Sequence, residues 1–138
     1  MTDQDLVAKK LALIETCVRE LRTLARPEEI RRDVREERFV EHTLQIAIQA
    51  VLDVAAHIVS DERLGELTRT NRELFDTLER YGWVAEGLAG SLRSMAGFRN
   101  ILVHGYDTVD LAVVESVVTG RLDDLIDFVK SVRARLNE

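Results

Sequence analysis

Apolar residues recur along this chain at steps of three and four, the spacing of one helix face, and predict helix after helix. Leu6, Leu13, Cys17, Leu21 and Leu24, with charged residues between them, mark an amphipathic first helix that should end near Arg26-Pro27. Glu28 to Arg38 holds only Ile30 and Val34 as apolar residues and reads as a short solvated helix or turn. Its arginines are interleaved with carboxylates, which fits a plain surface better than a basic patch. From Phe39 to Ser60 the pattern changes: Leu44, Ile46, Ile48, Val51, Leu52, Val54, Ile58 and Val59 surround the helix axis on nearly every side. Such a helix belongs in the middle of a bundle.

Ser60 to Asn71 is polar and reads as a connection, with Asn71 as N-cap of a short helix carrying Leu74, Phe75 and Leu78. Tyr81-Gly82-Trp83 breaks that helix. Val84, Leu88, Leu92, Met95 and Phe98 then build another, in which Gly87, Gly90 and Gly97 each cost about 1 kcal/mol relative to Ala. Close approach of a second helix, within the chain or from another subunit, would explain them. Asp107 or Thr108 is expected to cap a further segment over Leu111 to Val118. Its β-branched content suits a strand, but an isolated strand has nothing to pair with, so helix is expected. After Gly120, the residues Leu122, Leu125, Ile126, Phe128, Val129, Val132 and Leu136 form a last amphipathic helix. The expected fold is all-α, a single domain over residues 1–138: an antiparallel bundle of four to five main helices with short extra ones.

Composition narrows the setting. The 138 residues include one proline and one cysteine, Cys17, so no internal disulfide forms and the cytoplasm is the expected compartment. The acidic, polar N-terminus does not resemble a signal peptide. The apolar run Leu44 to Val59 is interrupted by Gln45, Gln49, Asp53 and His57, which makes it a poor membrane span. A net charge of −6 argues against sequence-blind coating of nucleic acid, though not against a local basic cleft, for which Arg93 and Arg99 are candidates. No metal site is expected, because His42 and His57 have no partner ligand at suitable spacing. His57 reads as a hydrogen-bonded core or interface residue, and no phosphate-loop or dinucleotide glycine spacing occurs.

One stretch concentrates chemistry: Arg99-Asn100-Ile101-Leu102-Val103-His104-Gly105-Tyr106. On a helix of about 100° per residue, Asn100 lies one turn below His104, and Arg99 and His104 are roughly 140° apart. They would converge only if the helix ends near His104, and Gly105 can supply that end by taking the left-handed conformation. Cleaving RNA requires a base for the 2′-hydroxyl proton, an acid for the leaving 5′-oxygen and positive charge on the developing phosphorane. Histidine serves either proton role, while arginine forks onto phosphate oxygens. The negative end of the helix dipole favours a cation at His104, and Asn100 can orient the imidazole or a phosphate oxygen. One histidine cannot hold both proton roles at once, so a two-fold dimer facing two Arg–His pairs is the economical arrangement. The plainer alternative is that Arg99 pairs with a carboxylate, His104 caps its helix and Tyr106 is a buried aromatic beside a turn.

The same eight residues resemble the R-N-x-x-x-H-x-Y signature of HEPN-domain proteins, specifically the HepT-like toxins of MNT/HepT toxin–antitoxin pairs. The segment from Glu37-Arg38-Phe39 to Ser60, with Leu-Gln-Ile-Ala-Ile-Gln-Ala at its core, is similar to that family's second long helix. With the tyrosine–glycine break and the motif helix in the same order, the likeness covers nearly the whole chain. It implies a dimerising all-α bundle and the toxin of a type VII-like system, a metal-independent endoribonuclease acting on transfer or messenger RNA without a cofactor. By motif match, Arg99 and His104 would be the catalytic pair with Asn100 in support. The implied partner is an MNT-type nucleotidyltransferase antitoxin that neutralises the toxin by AMPylation of Tyr106. Phosphates placed two residues from His104 would fill an anionic-substrate cleft and repel RNA. Related helical domains also act as non-catalytic binding or scaffold partners of nucleotidyltransferases, which is the rival expectation.

Overall fold

A computed structural model describes residues 3–65, 70–105 and 109–138. The described residues form six α-helices and one 3-10 turn, with no strand among them. In chain order they are α1 (Gln4–Leu24), the 3-10 turn Pro27–Glu29, α2 (Val34–Asp61), α3 (Asn71–Arg80), α4 (Glu86–His104), α5 (Leu111–Gly120) and α6 (Leu122–Leu136). Four long helices and two short ones make up the expected all-α bundle.

Helix α2 is the axis of this bundle. Its 28 residues touch all five other helices and bury twelve side chains, from Val40 to Val59. Asp33 caps it by accepting from the Arg35 N–H at 2.9 Å. The helix therefore starts five residues before the first turn expected at Phe39, because an N-cap side chain outweighs the charged composition of that first turn. By length and composition α2 would pass as a membrane span, yet 61% of its apolar window is buried inside the bundle.

Helix α1 packs on α2 through Val7, Leu11, Ile14, Cys17, Val18 and Leu21. Cys17 and Leu21 are buried as expected, but Leu6, Leu13 and Leu24 are 39, 38 and 61% exposed. Both sets are helically periodic, and α2 selects the one that continues as an unbroken heptad stripe. Helix α6 closes the bundle with Leu122, Leu125, Phe128, Val129 and Val132 buried. Its Arg133 donates to both Glu15 oxygens, at 2.9 and 2.6 Å, and ties α6 to α1.

The short helices follow the sequence with small shifts. Thr70, not Asn71, is the N-cap of α3, accepting from the Glu73 N–H at 3.2 Å. Asp110 caps α5 by accepting from Ala112 N–H at 2.9 Å. The expected caps Asp107 and Thr108 lie outside the described residues. The β-branched run Leu111–Gly120 is helical, with Val114 and Val118 buried. Gly82, at φ +78°, turns the chain between α3 and α4, a backbone conformation that glycine adopts without strain.

Two consequences are measurable. Phe128→Ala empties a fully buried site and should cost about 3–5 kcal/mol, read as a fall in urea midpoint at unchanged slope. The Arg133 hydrogen bonds, with its charge, hold the Glu15 carboxyl below its ordinary range. That stabilisation is present above the unfolded-state value and is lost as pH falls through the folded one. Both side chains are partly exposed, at 39 and 45%. Arg133→Ala should therefore flatten the acid limb of the stability–pH profile by no more than about 0.5 kcal/mol.

Candidate active site on the last turns of α4

Helix α4 carries the Arg99–His104 stretch to the bundle surface. Ala89, Leu92, Met95, Ala96, Phe98 and Leu102 anchor it to the core, which leaves the alternate face open. The helix ends at His104, as expected, but Gly105 is not left-handed: its φ is −117°. Its N–H donates to Ile101 at 2.8 Å, so the last turn closes with an ordinary helical bond and needs no positive φ.

Because α4 stays helical through His104, Arg99 and His104 remain roughly 140° apart around one axis. A single chain does not converge them. Arg99 is half-buried, and its Nη1 sits 3.4 Å from Asn100 Oδ1. Its Nε is buried without a hydrogen-bond partner, and among the described residues Arg99 has no carboxylate within ion-pair distance. The guanidinium is therefore a retained, unneutralised cation. Asn100 and His104 are exposed, and Asn100 lines a hollow with Thr70, Asn71, Arg72, Ala96 and Gly97. Tyr106 lies outside the described residues.

Arg93 differs from the expectation. Its Nη1 donates to Asp76 Oδ1 at 2.8 Å and to Glu79 Oε1 at 3.3 Å, both on α3. Two carboxylates cancel its charge, so it locks α3 to α4 and offers nothing to phosphate. The signal that sequence reading missed is the Asp76/Glu79 pair, one helical step apart on α3. His57 Nε2 lies 2.8 Å from Asp61 Oδ2 but out of hydrogen-bonding alignment, at the half-buried end of α2. No group of His, Cys, Asp and Glu among the described residues could hold a metal ion.

The α4 glycines have no intrachain explanation at two of three positions. A Cβ at Gly87 or Gly97 would meet nothing within 4 Å. Gly90, Gly97 and His104 are spaced by seven, so they share one face, joined by exposed Ser94 and by Ile101 at 47% exposure. A strip of small and apolar residues thus leads straight to His104.

Comparison with known proteins now decides the family. The model of the family described as "Ribonuclease HepT-like" matches residues 14–132. The chain belongs to the HepT-like ribonuclease family. It is 28% identical to the mRNA nuclease HepT of Shewanella oneidensis over 131 residues, covering 94% of this chain and 98% of that protein. It is 32% identical to the tRNA nuclease HepT of Aphanizomenon flos-aquae over 98 residues, 71% of this chain and 66% of that one. The fold superimposes on the tri-AMPylated HEPN toxin of Shewanella oneidensis, solved in complex with MNT antitoxin, with a TM-score of 0.86. That match has 28% identity and covers 97% of this chain and 99% of the toxin. The expected HEPN membership and all-α architecture are therefore both found.

Arg93 and His104 differ in what their loss does to stability. Arg93→Ala leaves two carboxylates without their cation and should cost about 1 kcal/mol in chemical denaturation. His104→Ala removes an exposed side chain and should stay within about 0.5 kcal/mol of the parent.

Proposed function

We propose that this chain is the toxin of an MNT/HepT-type pair, a metal-independent RNA endonuclease whose site is completed by a second copy of itself. The observation that carries the proposal is the unneutralised Arg99 guanidinium five residues before an exposed His104, on the helix end of a chain in the HepT-like ribonuclease family. The single domain of residues 1–138 supplies one half of the site.

Helix geometry argues for the second copy. Arg99 and His104 diverge within one chain, while the strip Gly90–Ser94–Gly97–Ile101 leading to His104 is open, small and partly apolar. Two such strips packed about a two-fold axis would bring two His104 side chains to one cleft, with each Arg99, roughly 140° or more round the helix from the strip, reaching the phosphate from the rim. One imidazole then takes the proton of the 2′-hydroxyl as its oxygen attacks phosphorus. The other, protonated, gives its proton to the departing 5′-oxygen, and the guanidinium groups hold the phosphorane charge. Asn100, whose Oδ1 faces Arg99, orients that guanidinium. Proton and charge balance close without a Lewis acid or cofactor.

The same reading includes neutralisation by an MNT-type nucleotidyltransferase through AMPylation of Tyr106, which the family membership supports. The Shewanella toxin that this chain superimposes on is tri-AMPylated and bound to MNT antitoxin. Adenylyl phosphates two residues from His104 would compete with substrate phosphate for Arg99. A soluble cytoplasmic protein is the setting in which RNA and such a partner are both met.

Cleavage of purified transfer and messenger RNA in excess EDTA, with protein shown by intact mass to be unmodified, tests the nuclease. The parent should cut, and Arg99→Ala and His104→Ala should each lose at least about 100-fold in rate. Cutting by both variants at the parent rate would sink the assignment. The dimer face has its own test. Gly97→Ala adds a Cβ that meets no atom of the described residues within 4 Å and improves helix propensity by about 1 kcal/mol; Gly97→Leu extends further from the same open position. It should nonetheless yield a folded monomer by light scattering, without nuclease activity.

A further inference from the structure

Beside the end of α4 lies a feature that the cleavage scheme leaves unused. Arg38, Glu41, His42 and Gln45 are spaced by three, four and seven from the first, so they share one face of α2. They line a cleft of about 830 Å3 whose other wall is formed by Leu102 and Val109. Leu102 is two residues before His104, and Val109 three after Tyr106, so the cleft borders the motif on both sides of its sequence. Its volume falls in the range of roughly 300–1,000 Å3 typical of small-molecule sites.

The rest of α2 is largely packed, which makes this polar face an exception that folding does not explain. Arg38 and His42 are exposed, and Glu41 and Gln45 are half-buried. Among the described residues none of the four side chains has a hydrogen bond or salt bridge. Burial pushes the Glu41 carboxyl above its ordinary range, helped by Glu37 and opposed by Arg38.

The chemistry of the set fits one ligand class. The exposed Arg38 guanidinium, beside Glu37 and Glu41 in the same cleft, can take phosphate; a carboxyl and a carboxamide one turn apart present hydrogen-bonding groups to a planar heteroaromatic edge. Phe39, half-buried, lines the same cleft and offers a ring for stacking. We propose that the α2–α4 cleft is a nucleoside-monophosphate subsite, in which Glu41 and Gln45 contact the base edge and Arg38 the phosphate. Two sources supply that ligand: a nucleotide flanking the cleaved bond of the RNA, or an adenylyl group attached at Tyr106. Only the first source rests on the nuclease reading.

The test has two arms, run on the full chain with thermal midpoint and oligomeric state checked for every variant. In the first, a randomised RNA pool is cleaved and the nucleotides flanking each cut are counted. Glu41→Gln and Gln45→Ala should shift the preference at one flanking position by about tenfold, and Arg38→Ala should raise KM without changing preference. A variant that only disturbed packing would lower activity for all sequences alike. In the second arm, AMP is titrated into unmodified protein and amide shifts are followed by NMR. Saturable shifts confined to residues 38–45 and 102, lost in Gln45→Ala, support the subsite. A parent that cuts no RNA but binds AMP there retains the subsite for the adenylyl group and abandons the nuclease. Unchanged preference and KM in all three variants, together with no AMP-dependent shifts at α2, overturn the proposal.

Discussion

Burial of α2 on almost every side is the constraint from which the rest of the molecule follows. A 28-residue helix with twelve buried side chains cannot be stable alone in water, and the other five helices are arranged to cover it. The cover is uneven. Near its N-terminus α2 keeps an uncovered polar face from Arg38 to Gln45, and the end of α4 comes to rest across from it. The cleft and the candidate catalytic helix are thus products of one packing arrangement, in which α2 and α4 meet with the motif at the rim.

Helix α4 serves two masters, and its composition records both. Its core side uses Leu92, Met95, Phe98 and Leu102 to fix the position of Arg99 and His104 to within a rigid turn. Its outer side carries glycines that weaken the helix, and at Gly87 and Gly97 an added Cβ would meet nothing within 4 Å among the described residues. Charge is treated in the same divided way. Arg93, Arg133 and Lys10 are matched to carboxylates that join helices, whereas among the described residues Arg99 bonds only to an amide oxygen. In a chain of net charge −6, a guanidinium with no ion pair among the described residues is a local source of positive potential.

The order and type of the helices were legible because hydrophobic periodicity is a local property, and so was the all-round burial of α2. The Arg99-Asn100-x-x-x-His104 spacing was legible for the same reason, as was the end of α4 at His104. Less local features were not. Leu6, Leu13 and Leu24 mark the wrong face of α1 because two periodic apolar sets coexist there, and only contact with α2 chooses between them. Arg93 read as a free cation because its partners, Asp76 and Glu79, sit on another helix. The polar residues at the start of α2 read as interruptions in an apolar run rather than as one wall of a cleft, since the other wall comes from residues 102 and 109.

By itself, then, the sequence determined which segments are helical, which helix is central, and which residues bring a cation and an imidazole into one stretch. Those properties depend on neighbours within a turn or two of the chain, where backbone geometry alone fixes who faces whom. Tertiary structure decided which cations stay unpaired, which glycines face open space and where a cleft forms. It also showed that Arg99 and His104 point apart on an unbroken helix. Each of these is a relation between residues distant in the chain, fixed only when the helices pack and charges far apart in sequence find or miss one another.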